Sequence, residues 1–590
     1  MKFYSIIFLS ALVIISSRSY CQTGRNVSAK NFIEAKILDT ANAASLAYAN
    51  IFNLNTKRGT ISNDEGFIRI EINSPEDTLD VSYIGYAVRH IAAHEIKDAG
   101  IIFLKRNPVL LKEATVVADA SSFLYDMLSA CKKPSASKKK TAKTYFELET
   151  FKDSTQIELI VCYYNGHFTG YNVNEPEFKT GRLALAEIDG KLFVSTESSK
   201  AIYMLTLFDD NDNFPKNPFQ LKKKAFREYY QLSLAEKYKD EKSNVIYVID
   251  FFPRSDAGIF FNGRVWIDSL KNEIIKINLK AENALRHPFL PLWTTDSLKR
   301  VDLEITETFN EIDGTMFFNH VDYNYTIQYK SRNDSVYEIT TKAVLYAYDY
   351  RNNFPLPHFQ FSDFKNTDYR KIIAVPYNRF FWEHNDEYKL NDKKNRNEQF
   401  FTKKEVINNI RFTEDAQKSF RIGFFERPYL IWNGARIHFA YTLGDSTNAI
   451  SKDDLKKTPA ERYNLKVQLY MDVNLYHDSL NILTATVFDP FQSYYHFPFD
   501  TLADCFLNLY FDVMEIERRE FEKEIHEQKL SIELINDAYQ RKIKENESIS
   551  RSYFSSVERG NNRKELLKWN EHVFEELRID NCKLFNQYDK

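Results

Sequence analysis

Residues able to do chemistry are thinly spread in this chain. His90 and His94 stand four apart, a spacing that on a helix puts two imidazoles on one face to hold a metal. The apolar alternation around them indicates a strand or a loop instead, so they are read as surface histidines. Asp209-Asp210-Asn211-Asp212-Asn213 offers side-chain oxygens at alternate positions, as a calcium loop does. It lacks the glycine of the sharp turn and the closing Glu at the twelfth position, and is read as an acidic surface loop. After Cys21, four cysteines remain: Cys131, Cys162, Cys505 and Cys582. Their spacing suits neither a zinc ribbon nor a dense disulfide scaffold. Cys505 and Cys582 share the C-terminal helical region, so a bridge between them stays open beside four unpaired buried thiols. The sequence has no Gly-rich phosphate loop, no Gly-x-Ser-x-Gly elbow and no His-Glu-x-x-His, and its 12 histidines are scattered. No catalytic, cofactor-binding or metal residue is assigned, and the chain is read as non-catalytic.

The elements around these residues are more legible. Gly59 and Gly66 bracket Ser62-Asn63-Asp64-Glu65, a polar turn that predicts a strand hairpin. Ile68, Ile70 and Ile72 then alternate with Arg69, Glu71 and Asn73, and Leu79, Val81 and Tyr83 with Asp80 and Ser82. Each strand therefore has one apolar and one wet face, and two such faces make a small sandwich.

Those residues resemble the carboxypeptidase regulatory-like domain, found at the N-termini of envelope proteins that include TonB-dependent receptors. The likeness is carried by Lys36-Ile37-Leu38-Asp39, Tyr48-Ala49-Asn50-Ile51, Gly59-Thr60-Ile61-Ser62, Glu65-Gly66-Phe67, Ser82-Tyr83-Ile84-Gly85-Tyr86 and Phe103-Leu104. It implies a seven-stranded prealbumin-like β-sandwich that is an accessory module without zinc ligands of its own.

At 590 residues the chain is too long for one core. Its 79 Lys and Arg nearly balance 82 Asp and Glu, which leaves no field to attract nucleic acid. With 36 Tyr and 47 Phe against 16 Gly, the composition leans to β. Lys2, the apolar run Ile6 to Ile15 and then Ser16, Ser17, Ser19 and Cys21 have the parts of a secretory signal. The mature chain is expected to begin at Gln22. Lipidation of Cys21 is the alternative, against which Tyr20 is bulky. No later segment reaches the run of about 18 apolar residues that spans a bilayer.

Ser121 to Cys131 predicts a short helix through Phe123, Leu124, Met127 and Leu128, leading into a basic linker with Lys132, Lys133, Lys138, Lys139, Lys140 and Lys143. From Tyr145 strands are predicted at 157–164, 191–195, 245–251, 259–267, 274–279, 301–309, 315–325 and 337–348. In Val301-Asp302-Leu303-Glu304-Ile305-Thr306-Glu307 the alternation is that of an antiparallel strand wet on one side. Asn262-Gly263 and Asp313-Gly314 are read as hairpin turns. This region is similar to the soluble portion that follows the regulatory-like domain in a set of secreted envelope proteins, through Asn217-Pro218-Phe219, Tyr247-Val248-Ile249-Asp250-Phe251 and Phe261 to Asp268. Its strand pattern also resembles the half-barrels of periplasmic lipoprotein-sorting proteins, which implies an apolar concavity able to hold acyl chains.

Asn352 to Pro357 breaks the β pattern, and Asn385 to Glu398 is read as a linker. Beyond it strands are predicted at 436–443, 464–476 and 481–488. A helix follows from Leu502 through Phe521, Ile525, Ile532, Ile535 and Tyr539, and a second from Arg563 to Leu577 capped by Asn561 or Asn562. The two are expected to pack as a hairpin on the sheet, with an exposed coiled coil as the alternative. Leu430-Ile431-Trp432, Phe488-Asp489, Ser493 and Leu509 to Arg519 resemble a family of secreted zinc peptidases. Where that family has His-Glu-x-x-His, this chain reads Phe506-Leu507-Asn508-Leu509-Tyr510, so the likeness implies a scaffold without its metal site.

The fold class is thus mainly β with a C-terminal helical part. The expected units are a signal peptide (1–21), a prealbumin-like sandwich (22–118), a helix and basic linker (119–144) and a central antiparallel β meander or half-barrel (145–350). A linker and irregular region (351–425) and a C-terminal α+β unit ending in a helical hairpin (426–590) complete the chain. The expected role is that of an exported, non-catalytic envelope protein acting in binding or assembly, in the periplasm or at the outer-membrane surface. Its partner would be an unknown envelope protein or an apolar ligand, not nucleic acid, with peripheral outer-membrane association left open. Two alternatives are a degenerate zinc-peptidase-like hydrolase and a periplasmic carrier of a lipid or other apolar ligand. No metal or cofactor is expected.

Overall fold

The computed structural model describes residues 31–96, 100–106, 120–131, 138–185, 187–188, 191–192, 199–240, 242–255, 258–291, 294–332, 335–361, 368–385, 429–443, 462–476, 479–527 and 531–588. The expected signal peptide, Cys21 and most of the 385–398 stretch lie outside these residues.

Strands β1 (Asn31–Asp39), β4 (Phe67–Ile72) and β7 (Ile101–Leu104) form one layer of the first unit. β2 (Asn50–Asn53), β3 (Arg58–Ile61), β5 (Thr78–Ser82) and β6 (Arg89–Ala92) form the other. Ile37, Ile68, Ile70, Leu79, Val81 and Ile102 fill the space between them, as the alternation requires. The predicted hairpin is corrected. β3 pairs with β2 and β4 with β1, so the polar turn carries the chain from one sheet to the other. Asn63 organises that corner by accepting from the backbone N–H groups of Glu65 (3.0 Å) and Phe67 (2.9 Å). Gly66 has a φ of +83°, and a Cβ there would lie 2.9 Å from the Ile37 carbonyl oxygen.

The central unit is a ten-stranded sheet whose neighbouring strands all run antiparallel. Its first three strands are β8 (Lys139–Lys152), β9 (Thr155–Thr169) and β10 (Asn172–Leu185); the small pair β11 (Glu187–Ile188) and β12 (Lys191–Leu192) follows apart from it. Then come β13 (Tyr230–Lys239), β14 (Val245–Pro253), β15 (Asn262–Asp268), β16 (Glu273–Ala281), β17 (Ser297–Ile312), β18 (Thr315–Lys330) and β19 (Val336–Asp349). The spatial order is β10-β9-β8-β19-β18-β17-β16-β15-β14-β13, an open sheet with β10 and β13 at its edges.

Two local expectations change. β8 begins at Lys139, so the end of the basic stretch is strand. Asp313-Gly314 is the expected turn, with φ of 50° and 72°, but Asn262-Gly263 lies inside β15 with no positive φ. There glycine serves close strand approach, because a Cβ on Gly263 would meet the Asn278 carbonyl oxygen at 1.9 Å.

Alternation gives the sheet two buried faces. Tyr145, Val161, Tyr163 and Tyr346 point to one, where Ile61 and Tyr48 of the sandwich pack beside Phe381 and Trp382 of helix α5 (Arg379–His384). Phe146, Ile160, Ile305 and Val321 point to the other, the helical face. It is covered by α1 (Ala120–Ala130), α2 (Lys200–Met204), α3 (Lys223–Tyr229), α4 (Asp368–Ala374) and the segment 205–221, and by Tyr429, Tyr470, Ala485 and Val487 of the last unit.

In the last unit β20 (Leu430–Ile431), β21 (Tyr463–Tyr476) and β22 (Ser479–Tyr495) form a three-stranded sheet in the order β20-β22-β21. The strand expected at 436–443 is instead irregular chain leading into helix α6 (Phe439–Leu443). The backbone N–H groups of Ile437 and Phe439 bond to side chains, Asn508 at 2.9 Å and Asp504 at 3.1 Å, rather than to a neighbouring strand. Helices α7 (Thr501–Glu527), α8 (Ile532–Val557), α9 (Arg563–Leu577) and α10 (Asn581–Leu584) replace the two that were expected. Asn562 caps α9 as anticipated, and Ser531 begins α8 where one continuous helix was read. Phe506, Leu509, Val513, Tyr553 and Leu566 form the core beneath.

The units are tied by buried polar contacts. Lys179 on β10 reaches Asp472 on β21, and its ammonium also donates to the carbonyls of Pro355 (2.7 Å) and Val473 (3.3 Å). Burial holds this lysine's pKa below the usual value, against the pull of Asp472. Tyr476 donates to Glu71 of the sandwich at 2.7 Å, and Glu71 in turn binds Arg58 at 2.5 Å. Among the described residues no helix is long and apolar enough to cross a membrane.

Candidate functional site

The helical face of the central sheet carries the largest apolar cluster among the described residues; short helices and the 205–221 segment close much of it, and strands of the last unit add Tyr470, Ala485 and Val487. In the 205–221 segment Phe214 meets the Tyr323 ring at 6.3 Å, and Phe208 meets Tyr171, which stands edge-on to Phe309 at 4.7 Å. Helix α1 contributes Leu124, Met127 and Leu128, the helical stripe read from the sequence; Phe123 instead stays half exposed against Tyr247. Polar ties fix this cover, among them a backbone bridge in which the Lys216 N–H donates to the Ile259 carbonyl (2.8 Å) and the Phe261 N–H to the Lys216 carbonyl (2.9 Å). Tyr125 donates to the Tyr230 carbonyl at 2.6 Å, and Tyr230 donates to those of Lys216 (2.7 Å) and Phe261 (2.9 Å). At the other end Asp368 accepts from the Ser199 backbone N–H (2.8 Å) and hydroxyl (2.9 Å) and from Tyr164.

One group on this face stands apart. Glu307 on β17 is 3% exposed, and its Oε2 has no hydrogen-bond partner. Its cross-strand neighbours are Ile277 on β16 and Val321 on β18, and its same-face neighbours along the strand are Ile305 and Phe309. Burial alone pushes its pKa up to about 8, so the carboxyl is neutral at pH 7. The buried carboxylates of the last unit's helix α7 differ: Asp512 accepts from Trp432, Arg436 and Asn581, and Glu515 from Thr486, Arg518 and Arg519. Sequence reading passed over Glu307, although a signal was present. In 301–307 the odd positions carry the apolar phase, and Glu307 is a carboxylate in that phase.

The structure also places the other residues singled out from the sequence. His90 on β6 lies beside Asp80 at 2.5 Å, and His94, in a short turn, lies by Glu76 at 3.4 Å; both are exposed. The Asp209–Asn213 loop is organised by its own contacts, with Asn211 donating to the Met204 carbonyl and Asp210 paired with Lys216 at 2.5 Å. The four described cysteines are free and buried, and Cys505 on α7 and Cys582 on α10 perturb each other, the Cys505 thiol being pushed up and the Cys582 thiol down. The stretch Phe506–Tyr510 is wholly buried within α7, and Asp504, Asn508 and Asp512 on that helix hold the chain around 432–439. Among the described residues no group of three His, Cys, Asp or Glu is placed to hold a metal.

A small open pocket with an empty volume of ≈ 280 Å³ lies on the opposite face. It is lined by Gly59 and Thr60 of the sandwich, Tyr145, Tyr163, Tyr346 and Tyr348 of the sheet, and Asn385. Tyr145 donates to Glu147 and Tyr163 to the Asn385 carbonyl, so these hydroxyls are engaged within the protein.

No family model matches the chain, and no curated protein matches it. Among solved structures, MucB is 11% identical, with 39% of this chain and 94% of that one covered, at a TM-score of 0.15. A LolA superfamily protein from Nitrosomonas europaea is 9% identical over the same shares, also at 0.15. A domain classed as an outer membrane lipoprotein-sorting protein, from Vibrio parahaemolyticus, is 11% identical, with 42% and 97% covered, at 0.18. Scores this low give the likeness no weight as evidence of function.

Proposed function

We propose that the protein is a non-catalytic binding protein of the cell envelope, and that the helical face of its central sheet is the binding surface, open to an apolar ligand once the cover shifts. One observation carries this reading. Much of a broad, aromatic-rich sheet face is closed by short helices and an irregular segment, tied to the sheet by tyrosine and aspartate contacts and by the backbone bridge at Lys216. Short elements open at lower free-energy cost than a continuous sheet does, and elements that move to admit ligands are drawn from such regions. The charged, apolar and small-residue pattern of residues 2–21 supports the envelope address.

The test is titration of the purified protein with an apolar fluorophore whose emission rises on leaving water. Saturable binding that tryptophan substitution at Ala201, buried on the cover helix α2, abolishes is the expected result. Binding that is absent, or indifferent to that substitution, contradicts the reading.

A further inference from the structure

The position of Glu307 deepens that reading and rests on it. β17 is an interior strand of the ten-stranded sheet, five places from the β10 edge and four from the β13 edge. Glu307 is therefore set far from solvent at either margin, on the face closed by the 205–221 cover. A carboxyl with Ile277 and Val321 as cross-strand neighbours and Ile305 and Phe309 beside it along the strand receives no hydrogen bond at its Oε2. An apolar side chain of similar volume would fill the same place without stranding a buried polar atom. The buried Asp368, Asp472 and Asp512 are each surrounded by donors. Of these four carboxyl groups, Glu307 alone has none.

We propose that Glu307 is the polar anchor of the helical-face site, donating a hydrogen bond from its neutral carboxyl to a carbonyl oxygen on an otherwise apolar, long-chain ligand, the chemistry of an acyl ester. A neutral carboxyl supplies one O–H donor and one carbonyl acceptor, which suits an uncharged acceptor entering along an apolar face, where desolvation disfavours an anionic one. The elevated proton affinity set by burial keeps the donor in place through neutral pH. Ionisation above pH 8 removes it.

The experiment compares a long-chain methyl ester with the saturated hydrocarbon of equal length as competitors for the bound fluorophore, between pH 6 and pH 10. Wild type, Glu307→Leu and Glu307→Gln are measured side by side. Wild type should prefer the ester by about tenfold, the worth of one hydrogen bond. The ester affinity should fall by about tenfold in all as the pH rises past 8, while the hydrocarbon affinity changes less. Glu307→Leu should bind both competitors alike at every pH. Glu307→Gln, which keeps an N–H donor, should retain the ester preference and lose the pH dependence. An ester preference that survives Glu307→Leu, or a pH profile that survives Glu307→Gln, overturns the anchor while leaving the apolar site standing. Wild type that binds neither competitor overturns the site and the anchor together.

Discussion

Replacing Glu307 should make the protein more stable, and increasingly so as the pH rises. The folded state holds this carboxyl's pKa at about 8 against an ordinary value of 4.5, because burial disfavours the anion. Between those values the folded chain binds more protons than the unfolded chain, so stability falls as pH rises and the fall is complete above about pH 8. At about 1.4 kcal/mol per pH unit, the loss between pH 5 and pH 8 is about 4 kcal/mol from this one group. Glu307→Leu has no proton to exchange and removes an unsatisfied buried oxygen, itself worth about 1–3 kcal/mol. The assay is guanidinium unfolding of wild type and variant at half-unit steps from pH 5 to pH 9, followed by tryptophan fluorescence. The variant curve should lie above wild type with a gap that widens by about 4 kcal/mol across the range and then levels. Other titrating groups cancel in that difference. A gap independent of pH, or a variant less stable than wild type at pH 8, refutes the reasoning.

Other substitutions test the scaffold. Lys179→Met strands the buried Asp472 carboxylate between the central and last units and should cost about 3–5 kcal/mol, much of it recovered when Asp472→Asn is added, as measured by a double-mutant cycle in denaturant. Gly263→Ala pushes a Cβ into the Asn278 carbonyl and should lower stability by about 2 kcal/mol or more, read as a drop in Tm. Treatment with glutathione disulfide should join Cys505 to Cys582, two protein thiols becoming one disulfide as the reagent is reduced to two thiols. Mass spectrometry after alkylation in denaturant should then find two thiols, Cys131 and Cys162, rather than four. The bridge should add up to about 4 kcal/mol of stability through the long loop it closes, and four alkylated cysteines would contradict the contact.

Alternation made most of the strands legible. Val301 to Ile305 and Leu79 to Val81 show the period-2 pattern of strands, and the structure buries the phase the pattern selects. What alternation cannot give is the partner. The Ser62–Gly66 turn was sound as a turn and wrong as a hairpin, since local backbone geometry does not say whether a corner stays within a sheet or leaves it. Asn262-Gly263 misled in the opposite way. The glycine answers to the backbone of a neighbouring strand, at Asn278, which local sequence does not reveal. The 436–443 stretch has apolar residues suited to a strand, yet Asp504 and Asn508 claim its backbone from a helix far along the chain. β10 and β13, the sheet edges, were missed, β10 with a Pro in its run and β13 with a polar, lysine-bearing sequence.

The candidate site was half legible. Leu124, Met127 and Leu128 gave the α1 stripe of the cover, but α2 and α3 are too short for periodicity to identify. Glu307 was visible only as a break in phase, and its meaning depends on Ile277 and Val321, which the strand order places beside it.

Native mass spectrometry of the protein purified from its own envelope fraction tests the central claim most directly. The predicted result is an adduct of one uncharged acyl-chain compound per chain, retained by wild type at pH 7 and diminished in Glu307→Leu. A protein that arrives bare, and stays bare when long-chain esters are supplied at pH 7, would contradict it.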